Sequence, residues 1–209
     1  MRFKTATIAL AAPLLAAAPA LAHHPMGGAT PETAWHGLLS GIGHPIIGVD
    51  HFAFIVLVGL AAAFAGARFI TPLAFIAATV AGCLLKVAGI ALPLAEFVIA
   101  GSVVLTGIMV LSGKNFGATA YGVIFAIAGL FHGWAYGAAI IGAEPTPLAA
   151  YLTGFGVTQY AIALAVSWLT LSVWKASDSS AIQPRLAGAV AAGIGAAFLI
   201  EGIEGVLFA

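Results

Sequence analysis

The segment HPIIGVDH, residues 44–51, places His44, Asp50 and His51 directly before a long apolar run. Imidazole and carboxylate groups together suit divalent transition metals such as nickel, cobalt and zinc. A charged side chain at the centre of a membrane helix costs about 2.5–3.5 kcal/mol on insertion scales. Such residues therefore have to pair, become neutral or bind an ion. The segment predicts either a structural polar cluster or a path for metal ions.

Four further polar residues fall inside apolar runs: Lys86, His132, Glu201 and Glu204. At 1.5 Å per residue, these four residues lie about 10 Å below the outer surface of the membrane. Asp50 and His51 of the motif lie at a similar depth, in the outer half of the membrane. We therefore expect one polar layer built from several helices. The favoured interpretation is that Glu201 and Glu204 bind metal, and the alternative is that they neutralise Lys86.

The spacing within the motif sets the order of its side chains along a path. If residues 44–51 form one helix, His44 and His51 share a face but lie about 10 Å apart along the axis. They cannot bind one ion unless the helix opens. We expect His44 at the outer mouth and Asp50 with His51 deeper, while Gly48 leaves room for a ligand or a neighbouring helix.

Composition assigns the chain to the membrane. Hydrophobic residues make up 62% of the 209 residues and charged residues only 7%, whereas soluble domains carry about 25% charged residues. The formal net charge is zero, so no basic field suggests nucleic acid as a partner. The single cysteine, Cys83, excludes an internal disulfide and a cysteine-cluster metal site.

Residues 1–22 are typical of a secretory signal peptide. Arg2 and Lys4 form a basic start, and Ala20-Leu21-Ala22 ends an apolar stretch with the small-x-small cleavage pattern. The alternative is an uncleaved first membrane helix. After cleavage the mature chain begins at His23, an imidazole that can capture metal outside the membrane. Residues 23–43 then form an extracytoplasmic N-terminal segment.

The fold class is all-α, a polytopic membrane protein with six transmembrane helices in one domain, residues 44–209. The apolar runs and their proline and glycine breakers predict helices over about 45–66, 72–92, 95–112, 119–141, 147–174 and 186–208. Four loop cations (Arg68, Lys114, Lys175 and Arg185) fall on one side of such a topology. The positive-inside rule makes that side cytoplasmic, which places both mature ends outside.

The chain resembles the HupE/UreJ family of nickel/cobalt permeases. The resemblance rests on HPIIGVDH, PLAF (72–75), ALPLAE (91–96) and FHG (131–133), and it covers essentially the whole mature chain. It implies secondary uptake of Ni²⁺ or Co²⁺ across the bacterial cytoplasmic membrane, with the metal as transported substrate and no prosthetic group. Carried over by position, the metal-handling residues are His44, Asp50, His51 and His132.

The chain also departs from the family pattern. Many members continue the fourth-helix motif as H-G-x-A-H-G-x-E, but here it reads HGWAYGAA, so Tyr136 replaces the second histidine and Ala138 the acid. In the fifth helix, where many members carry a histidine, this chain reads TQYA, with Gln159 and Tyr160. Glu201 and Glu204 are expected to supply the missing carboxylates. These changes leave Zn²⁺ open as a substrate beside nickel and cobalt.

The leading hypothesis is therefore a permease and not an enzyme. One alternative is an intramembrane metal-dependent hydrolase with a zinc-bound water, although no H-E-x-x-H motif is present. Another is a membrane subunit that does not transport and uses its buried charges for assembly. The expected partners are the metal ion and the lipid bilayer, and the sequence leaves open whether several copies assemble.

Overall fold

The computed structural model describes residues 29–208, so the predicted signal peptide and His23 lie outside the described residues. The described chain is helical with connecting turns, which confirms the all-α prediction. We label the helices α1 (Ala34–Ile47), α2 (Val49–Phe64), α3 (Thr71–Val87), α4 (Ala95–Leu111), α5 (Gly117–Gly137), α6 (Pro145–Trp168) and α7 (Ile182–Leu207). A 3₁₀ turn, Ala138–Ile140, extends α5, and a π-helical turn, Leu169–Val173, extends α6.

The first predicted helix, 45–66, is wrong in its start and in its continuity. Gly48 has ψ of 103°, which ends α1, and its N–H bonds to the carbonyl of His44 at 3.2 Å. α2 begins at the next residue, and the two helices are bent by 79°. Because an extended residue cannot continue the helical hydrogen-bond ladder, the motif 44–51 lies across a break.

The segment predicted to precede the membrane domain, 23–43, contains most of α1. The hydroxyl of Thr33 accepts a hydrogen bond from the N–H of His36 at 3.1 Å and so caps the helix start. Pro45, interpreted from the sequence as a helix start, lies inside α1 near its end. The helical body therefore begins about ten residues earlier than the predicted boundary.

Helix lengths and composition support a multi-pass membrane protein. Among the described residues, three helical segments are long and apolar enough to cross a membrane: Gly117–Ile140, Pro145–Val173 and Ile182–Leu207. The bent pair α1–α2 makes a fourth if it counts as one span. α3 and α4 have 17 residues each, about 26 Å at the helical rise, the lower limit for spanning. The count of six spans stays a prediction.

Among residues 29–208, three helix pairs are closely packed: α1 with α6, α3 with α5, and α4 with α7. Each pair approaches at glycines, where a β-carbon would collide with backbone of the partner. Such a carbon on Gly133 would meet Thr79, on Gly41 the carbonyl of Tyr151, and on Gly107 the backbone of Ala192. Small residues at helix contacts are the usual means of packing in lipid, where apolar burial gives little drive.

α2 lies between the three pairs and contacts each of the six other helices within residues 29–208. Its Phe54, Ile55, Leu57 and Val58 side chains have no exposed surface. The first turn of this central helix carries Asp50 and His51. Residues on several surrounding helices can therefore reach the same two side chains.

Candidate functional site

The break at Gly48 brings together the two histidines of the HPIIGVDH motif. His44, Asp50 and His51 are 3%, 5% and 4% exposed. The ring centroids of the two histidines are 6.1 Å apart, closer than the axial separation of about 10 Å expected for one continuous helix. The interpretation of one straight helix is wrong: the helix opens at Gly48, and the three side chains occupy one buried region. The position of His44 at the outer mouth stays a prediction.

His132 of α5 completes the centre of this region. Its Nδ1 lies 2.8 Å from Nδ1 of His51, and the ring is fully buried. One carboxylate oxygen of Asp50 accepts a hydrogen bond from the backbone N–H of His51 at 2.8 Å. The other carboxylate oxygen lies 4.0 Å from the ring Nδ1 of His51. Four of the sequence-predicted residues thus meet at the junction of α1, α2 and α5.

Tyr151 of α6 fixes the position of His44. The Tyr151 hydroxyl donates to the backbone carbonyl of Tyr136 at 2.8 Å, and it lies 2.7 Å from Nδ1 of His44. A hydroxyl that donates to this carbonyl accepts from a His44 Nδ1–H, and a neutral His44 ring then has its lone pair on Nε2. Sequence reasoning missed Tyr151, because a tyrosine in an apolar helix is not distinguished from an ordinary core aromatic residue.

Tyr136 lies against both histidines of the motif. Its ring centroid is 4.7 Å from that of His44 and 4.6 Å from that of His51. The side chain is fully buried, and its hydroxyl has no hydrogen-bond partner within residues 29–208. A buried hydroxyl without a partner costs about 1–3 kcal/mol. The site therefore holds a polar group that a bound ion or its water could satisfy.

Ser102 of α4 lies behind His132. Its Oγ is 3.0 Å from Nε2 of His132 and donates to the carbonyl of Ile99 at 2.7 Å. The sequence contained no signal for this residue beyond a lone serine in an apolar run. It brings α4 into contact with His132, so that five helices contribute residues to the site.

The remaining sequence-predicted residues are not brought to this cluster. Glu201 and Glu204 are exposed on α7, and the ammonium of Lys86 lies 3.5 Å from the ring centroid of Trp134, a cation–π contact. In the part of the chain that the structure describes, no three His, Cys, Asp or Glu side chains are arranged to hold a metal ion. A ligand role for the two glutamates stays a prediction, as it does for His23 outside the described residues.

Comparison with known proteins gives one family and a curated relative. A family model described as HupE / UreJ protein matches residues 10–198. The protein called Protein HupE, from Rhizobium leguminosarum bv. viciae, is 30% identical over 204 residues, which cover 96% of this chain and 100% of that protein. No solved structure matches the chain.

Proposed function

This chain belongs to the HupE/UreJ family, and we propose that it is a permease that takes up a divalent transition-metal ion, Ni²⁺ or Co²⁺, across the bacterial cytoplasmic membrane. The metal is the substrate and passes through the cluster of His44, Asp50, His51 and His132. The observation that carries the proposal is the buried imidazole pair of α2 and α5, with 2.8 Å between the two Nδ1 atoms, next to Asp50.

Burial makes a purely structural role for this cluster expensive. Two imidazoles and a carboxylate are each at most 5% exposed in an otherwise apolar bundle. Apolar residues of similar volume could fill the same space without the desolvation cost. Ionisable residues that are kept inside membrane helices more often mark the path of an ion.

The broken helix supplies a direction of approach to the site. α1 ends at Ile47 and α2 begins at Val49, so the negative end of one helix dipole and the positive end of the other meet at the break and offset each other. The carboxylate of Asp50, in the first turn of α2, is the group that attracts a cation there. Broken membrane helices of this kind place helix ends at ion sites in transporters. A cation is therefore attracted to the break, where the two histidines of the motif are within ligand reach.

The direct test is metal uptake by the purified protein in liposomes. We expect Ni²⁺ and Co²⁺ to enter faster than in protein-free liposomes, with Zn²⁺, Mn²⁺ and Cu²⁺ as competitors and an imposed proton gradient present or absent. Metal analysis of the washed vesicles measures the amount. If no divalent metal enters faster than in empty vesicles, the permease proposal fails. If the protein retains metal but moves none, the hydrolase alternative gains support.

The Tyr136 hydroxyl, which has no hydrogen-bond partner among residues 29–208, gives a test in which a single atom is removed. Tyr136→Phe keeps the ring that packs on His44 and His51 but removes the oxygen. We expect uptake at low metal concentration to fall by about 3- to 10-fold, because one contact to the ion, or one hydrogen bond to its water, is lost. Thermal stability should stay the same or rise, because a buried unsatisfied group is gone.

Tyr160→Phe is the matched control for this change. Its hydroxyl donates to the carbonyl of Phe69 at 3.0 Å on the exposed side of α6. We expect the control to transport metal as the unchanged protein does. A Tyr136→Phe protein that is more stable and transports at the original rate would show that the hydroxyl does not contact the transported metal or its water.

A further inference from the structure

The proton of the Ser102 hydroxyl is assigned by its geometry. Ser102 donates to the carbonyl of Ile99 at 2.7 Å, a bond within α4. A hydroxyl has one proton, so towards His132 Nε2, at 3.0 Å, the Ser102 oxygen is an acceptor. His132 therefore carries its proton on Nε2.

The position of the proton on His132 in turn determines the position of the proton on His51. The rings of Phe54 and Phe75 flank His132 with centroids 4.6 and 5.8 Å away, and apolar walls of this kind suit an uncharged imidazole. A neutral imidazole with its proton on Nε2 has its lone pair on Nδ1. The His51 Nδ1, at 2.8 Å, must then donate to that lone pair. In its neutral form, His51 has its own lone pair on Nε2.

The Cδ2 edge of the His51 ring, which adjoins Nε2, lies against the helix break. A β-carbon placed on Gly48 would lie 2.8 Å from Cδ2 of His51, the ring carbon bonded to Nε2. This edge of the ring is thus next to the end of α1, where a cation is attracted. A metal-bound histidine in proteins almost always donates its other ring N–H to a fixed acceptor, which holds the ring and raises its basicity. His132 is that acceptor here.

We propose that Ser102 is a positioning residue: through His132 it fixes the proton of His51 on Nδ1 and presents the Nε2 of His51 to a divalent metal ion. His132 on this view supports the ligand and does not bind the metal itself, since both of its nitrogens are used by Ser102 and His51. The identity of the ligand rests on the proposed function, whereas the two tautomers do not.

The first experiment reads the tautomers without transport. In purified protein with ¹⁵N-labelled histidine, the imidazole signals of His51 and His132 are assigned from the His51→Gln and His132→Gln variants. We expect Nδ1–H on His51 and Nε2–H on His132. Zn²⁺, which leaves such signals sharp, should shift the Nε2 signal of His51 much more than the Nδ1 signal of His132.

The second experiment removes the hydroxyl. Ser102→Ala should weaken the apparent affinity for every transported metal by about 10- to 100-fold, the usual effect of an outer-shell residue, and leave the maximal rate nearly unchanged. Ser102→Thr keeps an oxygen that can bond to Ile99 and His132, so it should restore the affinity. Ser112→Ala is the control, because Ser112 makes the same bond to the carbonyl three residues earlier, at 2.7 Å, but is exposed.

Several results would overturn the proposal. It fails if His132 carries its proton on Nδ1, if Zn²⁺ moves the Nδ1 signal of His132 and not the Nε2 signal of His51, or if Ser102→Ala leaves both tautomers and the metal affinity unchanged. Should Ser102→Ala not fold, the signals of the unchanged protein and the Ser102→Thr variant still decide the question. If the tautomers are as expected but the protein moves no metal, the permease proposal fails and the assignment of the protons stands.

Discussion

His51→Ala is expected to abolish metal uptake. The change removes the imidazole at the centre of the cluster and with it the Nε2 that we propose as a metal ligand. It also takes the donor from His132, whose Nδ1 lies 2.8 Å away in a fully buried ring. A buried acceptor left unsatisfied costs about 1–3 kcal/mol, so the melting temperature should fall as well. Uptake into liposomes and thermal unfolding of the same preparation measure the two effects.

His36→Ala is the matched control for this loss. His36 lies near the start of α1, and its backbone N–H makes the cap bond to Thr33, which alanine keeps. We expect uptake by this variant to match that of the unchanged protein. Metal uptake at the original rate by a folded His51→Ala protein would remove His51 from the path and with it the central part of the proposed function.

Asp50→Asn separates the charge of the site from its structure. An asparagine oxygen can still accept the backbone N–H of His51, as the Asp50 carboxylate does at 2.8 Å, so this hydrogen bond in the first turn of α2 should remain. The negative charge that attracts a cation is lost, and we expect uptake to fall by at least about 10-fold. Asp178→Asn, in the exposed loop between α6 and α7, changes charge by the same amount and should have no effect on transport.

Gly133→Ala should disrupt the packing of α3 against α5. A β-carbon at Gly133 would collide with the backbone of Thr79, which cannot rotate away as a side chain can. Overpacking of this kind costs about 1–3 kcal/mol, and it moves the helix turn that carries His132. We therefore expect a lower melting temperature and a loss of most uptake, measured on one preparation.

Gly122→Ala on the same helix is the control. A β-carbon at Gly122 meets no atom within 4 Å, and alanine is the better helix former by about 1 kcal/mol. Its melting temperature should be equal or higher. Equal stability of the two alanine variants would contradict the close approach of α3 and α5.

The later helices were predictable because proline and glycine mark their ends. The predicted helix 95–112 corresponds to Ala95–Leu111, and 147–174 to Pro145–Val173. The break at Gly48 was not predictable in the same way. A glycine inside an apolar run is compatible with a continuous helix, and only the packing around it decides whether its ψ leaves the helical range. The missed cap at Thr33 was readable, since threonine at a helix start is a known signal.

The depth of the site residues along their helices was predictable, but the direction of their side chains around the helix axis was not. Counting residues from the helix ends placed His51 and His132 at similar levels, and the structure brings them into contact. The same count placed Glu201 and Glu204 there, but depth along an axis does not say which way a side chain points around it. Both are exposed on α7. Ser102 and Tyr151 were missed because their importance comes from partners on helices far away in the sequence.

The pairing of helices also has a consequence for the order in which the protein can assemble during synthesis. The two helices of each pair are separated in the sequence, so the second is synthesised well after the first. Tyr151 of α6, for example, follows His44 of α1 by 107 residues. At about 5–20 residues per second, the ribosome needs about 5–20 s to make that stretch. α3 meets α5 first, α6 then reaches α1, and α7 closes on α4 last. A nascent chain that stops before α7 already holds every residue of the polar cluster, but the helix that carries Ser102 still lacks its partner.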